Sequence, residues 1–235
     1  MHHDLIVLGA GISGASLAHT CARGGLEVLV AEKTNGLGGC LHSHRAPEGY
    51  WFELGAHTCY NSYQELIGLL EDAKISSDLI GRAKVPFRLL VDGRIVSITS
   101  QLSFPELLVS APRLVGARKP GRTVREYWSR IVGKGNYDRV MSAMFAAVPS
   151  QSADEFPADV LFKSRGQRRK DVLRSFTLRG GLQRLTDALA THARITVTTD
   201  AAVVRIERRD GGLAAVTADG RSFAGRHLAL AVAPS

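Results

Sequence analysis

The chain has 235 residues, 45% of them hydrophobic, and carries 30 basic against 22 acidic side chains, a formal charge of +8. That length can bury a sizeable core, in one large domain or two interleaved ones. No apolar run reaches the roughly 18 residues of a membrane span, and three cysteines, Cys21, Cys40 and Cys59, without C-x-x-C spacing argue against a disulfide framework or a zinc site. The apolar start at Leu5 is too short for a signal peptide and follows Asp4. A soluble, cytoplasmic protein with reduced thiols is the expectation.

Residues 4–8 are continuously apolar, as a parallel strand covered on both faces requires. Ile12 to Arg23 reads as a helix stopped by Gly24-Gly25, and Leu26 to Ala31 as the next strand, a compact βαβ unit. Ser62-x-x-Glu65 forms a capping-box pattern before a short amphipathic helix starting at about residue 63. In VPFRLLVDGRIVSI, Asp92-Gly93 lies between two β-prone runs and predicts a hairpin. Residues 104–147 read as mostly helical, punctuated by Pro105, Pro112 and Pro120, with Thr123-x-x-Glu126 capping a helix through Val132. Residues 150–171 read as loop with short helix. GGLQRLTDALATHA then predicts one amphipathic helix, followed by strands in RITVTT, AVVRIERR, LAAVTA and RHLALAVA, with Asp210-Gly211 and Asp219-Gly220 as turns. The predicted architecture is α/β, a Rossmann-like parallel sheet with an antiparallel β-meander. Its nucleotide-binding domain is discontinuous, 1–85 and 173–235, with a partly helical segment, 86–172, inserted.

Two basic clusters account for much of the charge. One runs from Lys163 to Arg184 with Asp171 as its single acid, and the other holds Arg113, Arg118, Lys119, Arg122 and Arg125 with none. Such clusters suit an anionic lipid surface or a carboxylated ligand, or simply form a solvated basic face with no partner. Nucleic acid is not expected, because no zinc-finger, RNP or helix-turn-helix pattern accompanies them.

The chemistry-bearing motif is Gly9-x-Gly11-x-x-Gly14, which follows the first strand and opens the first helix, with Glu32 closing the second strand. Gly9 allows the tight turn, Gly11 lets backbone approach a pyrophosphate, and Gly14 lets helix and strand pack closely. The helix N-terminus offers free N–H groups to the diphosphate, and Glu32 would accept ribose hydroxyls. A further pair, Gly38-Gly39, comes six residues after Glu32, where a plain dehydrogenase enters its next crossover helix. Extra close-approach glycines there favour a longer ligand, FAD rather than NAD.

These runs, with FELGAH, TVREYWSRIVG, PADVLF, SFTLRGGLQRLTDALA, VVRIE and LALAVAPS, make the chain resemble the FAD-dependent amine oxidase superfamily, most of all its protoporphyrinogen and coproporphyrinogen oxidases. The resemblance implies that Gly9, Ala10, Gly11, Ser13 and Gly14 line the diphosphate and that Glu32 and Lys33 lie at the ribose. It implies that Gly38 and Gly39 run beside the flavin half, that Gly55, Ala56 and His57 pass near the ring, and that Val203 meets the adenine through its backbone. It also implies hydride transfer from a substrate C–H to flavin, with oxygen as the electron acceptor and no catalytic residue assigned. Arg168, Arg169, Arg174 and Arg179 are candidates for a carboxylated substrate such as a porphyrinogen, although an amine substrate also fits. FPELLVSAPRLVG is core, a macrocycle wall or a patch for peripheral membrane contact.

One departure from the family is Cys40, where it carries Arg after the glycine pair. The balancing cation is then sought among His42, His44 and Arg45, and Cys40 itself is expected to be a small buried side chain. His57, Cys59, Tyr60 and Asn61 form a polar cluster that reads as a strand-to-helix loop with Asn61 and Ser62 as helix caps, and no second group of ligands supports a metal. The alternatives are a non-redox flavoprotein like UDP-galactopyranose mutase, suggested by the GAH motif, and an FAD-binding protein without turnover. The family's C-terminal glycine-rich return to the flavin has no counterpart in residues 1–235, so the expectation is an N-terminal portion of a longer protein or a site completed by a partner chain.

Overall fold

The computed structural model describes residues 2–83, 85–147, 151–161 and 168–233. Parts of the predicted loop at 150–171, with Lys163 and Arg165, lie outside the described residues. By its contacts the chain divides into two units, 1–82 with 167–235, and 83–166.

The first unit contains β1 (His2–Leu8), α1 (Ile12–Arg23), β2 (Val28–Ala31), β3 (Ser43–Arg45), β4 (Trp51–Glu53), β5 (Cys59–Tyr60), α2 (Gln64–Asp72) and β6 (Leu79–Gly81). The second contains β7 (Arg88–Val91), β8 (Arg94–Ser97), α3 (Phe104–Ser110), α4 (Val124–Val132), α5 (Lys134–Asn136), α6 (Ser142–Ala146) and α7 (Ala158–Leu161). The first unit then resumes with β9 (Ser175–Leu178), α8 (Gln183–Leu189), β10 (Ile195–Thr198), β11 (Val203–Arg209), β12 (Gly212–Thr217) and β13 (Ser222–Leu230).

The unbroken apolar run of β1 has its reason in the sheet. Leu5 and Val7 pack with Ala18 and Ala22 of α1, while Ile6 and Leu8 pack on the opposite face with Ala201 and Ala215. The strand order is β10-β2-β1-β13-β12-β11, parallel from β10 to β13 and antiparallel beyond. One strand joins the two halves: Ala224 and Gly225 of β13 pair with His2 and His3 on one side and with Ala214 and Leu213 on the other. This is the α/β, Rossmann-like architecture with an antiparallel meander that the sequence predicts. Beneath α1, a second core joins Ile67 and Leu70 of α2, Phe176 and Leu178 of β9, and Leu185 and Leu189 of α8.

In the second unit Asp92 and Gly93 both take positive φ, 48° and 74°, as a two-residue hairpin turn of the primed type needs. The capping box at Thr123 and Glu126 forms as predicted. The core gathers Val124, Tyr137, Phe145 and Ala153. There Asp154 accepts bonds from the Tyr137 hydroxyl (2.6 Å), Arg125 Nη2 (2.7 Å) and Ser142 (3.2 Å).

Local readings depart from the structure in three places. Tyr63, not Ser62, is the N-cap of α2, and no side chain caps it. Asn61 does not cap the helix either: it is buried, and its amide donates to the carbonyls of Arg169 (2.8 Å) and Val172 (3.4 Å), latching the segment before β9. The long helix predicted from Gly180 begins only at Gln183, because Gly180 and Gly181 hold φ of 80° and 99°, outside the helical region.

Candidate functional site: a dinucleotide cradle

The loop between β1 and α1 turns at Gly9, whose φ of 101° suits glycine and whose added Cβ would lie 2.6 Å from the Ala231 carbonyl oxygen. Gly14 sits one helical turn on, where a Cβ would overlap the carbonyl oxygen of Gly9. These two glycines therefore serve packing. Gly11 differs: it is the N-cap of α1, has no side-chain capping bond, and begins a helix with no acid in its first turn. The first-turn amides of Ile12, Ser13 and Gly14 are thus left for an anion, with the helix dipole favouring it.

The second glycine pair is drawn to the first loop. Gly38 N donates to Ala10 O at 3.0 Å, Gly11 and Gly38 form an isolated parallel bridge, and a Cβ on Gly39 would lie 3.1 Å from Gly11 Cα. Gly38 takes φ of 116°, and a Cβ on it would lie 3.2 Å from Cγ of Gln183, whose side-chain carbonyl accepts Ser43 N at 3.1 Å. A third segment follows at once. Ala56 N donates to Cys40 O at 2.8 Å, and a Cβ on Gly55 would overlap that same oxygen. The structure thus brings Gly9–Gly14, Gly38–Cys40 and Gly55–Ala56 into one series, with Ser13, Gly39, Gly55, Ala56 and His57 exposed.

Glu32 stands just past β2. Its Oε2 accepts Ala10 N (2.8 Å) and its Oε1 accepts Thr34 N (3.0 Å) and the Thr34 hydroxyl (2.9 Å). Burial pulls its pKa up, but these bonds and neighbouring Lys33 outweigh it and hold the carboxyl below its ordinary range. A carboxylate has about four acceptor positions, so about one remains for an incoming hydroxyl. Glu32 O also accepts Ala201 N at 2.8 Å, which places the start of β11, and with it Val203, at the same corner. Thr34 was not among the sequence candidates. A hydroxyl two residues after the acid was the available signal.

Cys40 is exposed, not a small buried side chain. Cys59 is buried, and burial together with Glu53 pushes its thiol pKa up to about 11, which makes it an inert core residue. Arg45, one of the cations sought for the diphosphate, is committed elsewhere: its Nε donates to Gly180 O at 2.8 Å and its Nη2 pairs with Asp187 at 3.3 Å. Of the basic candidates for a substrate, Arg169 is occupied by Asp171 (2.6 Å) and Glu71 (2.7 Å). Arg168, Arg174 and Arg179 are exposed and make no ion pair among the described residues. No group of three or more His, Cys, Asp or Glu side chains among the described residues is placed to hold a metal.

Comparison with known proteins agrees with this geometry. Residues 7–73 match the NAD(P)-binding Rossmann-like domain family. UDP-galactopyranose mutase of Mycoplasma pneumoniae is 40% identical over 70 residues, 29% of this chain and 18% of that protein. Among solved structures, a protein assigned as protoporphyrinogen oxidase from Exiguobacterium superposes with a TM-score of 0.73 at 17% identity, covering 97% of this chain and 59% of that one. Putrescine oxidase bound to putrescine superposes with a TM-score of 0.69 at 17% identity, covering 99% of this chain and 58% of that one. The chain thus spans less than two thirds of each of these proteins. It shares the fold of protoporphyrinogen oxidase and putrescine oxidase, and its match to the NAD(P)-binding Rossmann-like domain family lies in residues 7–73.

Proposed function

We propose that the chain binds FAD and belongs to an FAD-dependent oxidoreductase acting on a small molecule. The observation that carries this reading is the cradle at Gly11, Gly38 and Gly39: backbone without side chains, facing a helix N-terminus that has no capping side chain. A diphosphate fits there, held by the amides of Ile12, Ser13 and Gly14, with Ala10 and Gly9 shaping the loop. Glu32 takes the ribose through its remaining acceptor position, with Lys33 beside it, and the backbone at Val203 borders the base. Gly38 and Gly39 flank the second half of the diphosphate, and Gly55, Ala56 and His57 lie along the path towards the ring. When bound, FAD supplies the acceptor for a hydride from a substrate C–H, and oxygen reoxidises it. Arg168, Arg174 and Arg179 offer guanidinium forks to substrate carboxylates, which favours a porphyrinogen-like substrate over an amine.

A second reading, a mutase-like flavoprotein with no net oxidation, is favoured by the 40% identity over 70 residues with UDP-galactopyranose mutase. One experiment separates the two. The FAD-loaded protein, free of oxygen, is mixed with coproporphyrinogen, and its visible flavin absorption is followed. Bleaching that reverses on admitting air supports the oxidoreductase. Unchanged absorption, with UDP-galactopyranose converted only after chemical reduction of the flavin, supports the mutase.

A further inference from the structure

The start of α8 is capped by two neighbouring strands rather than by its own sequence. Glu53 of β4 accepts Leu182 N at 2.9 Å through one carboxylate oxygen and the Ser43 hydroxyl at 2.5 Å through the other. The hydroxyl oxygen of Ser43, a buried residue of β3, in turn accepts Gln183 N at 3.1 Å. Two of the N–H groups that a helix start leaves unpaired are satisfied in this way. The approach is close: a Cβ on Gly181 would overlap the Ser43 side chain, and Gly181 holds φ of 99°.

Ser43 therefore fixes Gln183 twice. Its hydroxyl takes the Gln183 backbone N–H, and its own N–H donates to the Gln183 side-chain carbonyl at 3.1 Å. A long side chain tied at both ends is locked in rotamer, as a residue that positions others must be. The stem so fixed adjoins the second glycine pair, since Gln183 Cγ lies 3.2 Å from the place a Cβ on Gly38 would take. Gly38 N donates to Ala10 O at 3.0 Å, and a Cβ on Gly39 would lie 3.1 Å from Gly11 Cα. Contacts thus run without a gap from Glu53 through Ser43, Gln183 and Gly38 to the β1–α1 loop.

We propose that Gln183, clamped by Ser43 and Glu53, is a positioning residue that seats Gly38 and Gly39 against Gly11, and so makes the cradle prefer a dinucleotide to a mononucleotide. It acts through backbone and touches no reacting atom. The inference rests on the FAD reading and adds to it a residue and a selectivity.

The test is calorimetric titration of the full chain with FAD and, separately, with AMP, which offers adenosine and a single phosphate to Glu32 and Gly11 and nothing to the second glycine pair. Gln183→Ala removes both the stem and the acceptor for Ser43 N. Gln183→Met keeps the stem and removes the acceptor, and serves where the alanine variant is poorly folded by circular dichroism. The expected result is a loss of FAD affinity of at least about fivefold in the folded variants, with AMP affinity within about twofold of the wild type. A role in stability alone would move the two ligands together, because both bind the same folded chain. FAD affinity unchanged in the folded variants, or FAD and AMP weakened alike, would overturn the proposal while leaving the FAD reading in place. A wild type that binds FAD no more tightly than AMP would overturn both.

Discussion

Alanine at Gly14 and alanine at Gly11 have opposite expected consequences. At Gly14 the new Cβ overlaps the Gly9 carbonyl, which is backbone and cannot swing aside. Gly14→Ala should therefore cost ~2–3 kcal/mol or more and lower the melting temperature with no ligand present. At Gly11 a Cβ meets Gly38 O and Gly39 Cα at 3.9 Å, an ordinary contact. Gly11→Ala should keep stability within about 0.5 kcal/mol yet fill the cradle and weaken FAD binding at least about tenfold. Melting curves and FAD titrations of the two variants check this. Glu32 carries a pH signature. Its folded pKa is depressed, so its stabilisation is present above the unfolded value of about 4.5 and lost as pH falls through the folded value. Glu32→Gln should lower stability in urea at neutral pH by about 1 kcal/mol, and the deficit should shrink as the pH falls into the acid range.

At the scale of elements, short-range chemistry was legible and long-range pairing was not. The β1–α1–β2 unit, the Asp92-Gly93 hairpin and the Thr123 box each carry their determinants within a few residues. Thr123→Ala should cost about 1 kcal/mol by urea unfolding, and Thr123→Ser should restore most of it. By contrast β9 gives no clear sequence signal, since its four residues exist as a strand through Cys59 and Tyr60 on one side and Leu79 to Gly81 on the other. The short strands β3 and β4 depend likewise on each other. The start of α8 is set from far away: Glu53 accepts Leu182 N at 2.9 Å and Ser43 accepts Gln183 N at 3.1 Å, neither visible in the local pattern. The cradle shows the same division. Its glycines and Glu32 were readable by spacing, whereas the role of Thr34, the Cys40 carbonyl as anchor for Gly55 and Ala56, and the diversion of Arg45 to Asp187 required the folded chain.

At the scale of the whole molecule, β13 joins the parallel strands and the meander into one sheet, so the residues assigned to the diphosphate and to the adenine, Gly9–Gly14 and Val203, share one frame. The second unit has its own core around Tyr137 and Phe145. Saturating FAD should accordingly slow amide exchange in β1, α1 and β2 by mass action, with a smaller effect on α4 and α6. Hydrogen exchange with and without FAD reads the difference.

The most direct test is equilibrium dialysis of FAD against the purified chain and its Gly11→Ala variant, both verified as folded by circular dichroism. Saturable one-site binding that ADP displaces, weakened at least about tenfold in the variant, is the expected result. A folded chain that binds no FAD, or that binds it equally well with alanine at Gly11, would contradict the assignment of this cradle to the flavin dinucleotide.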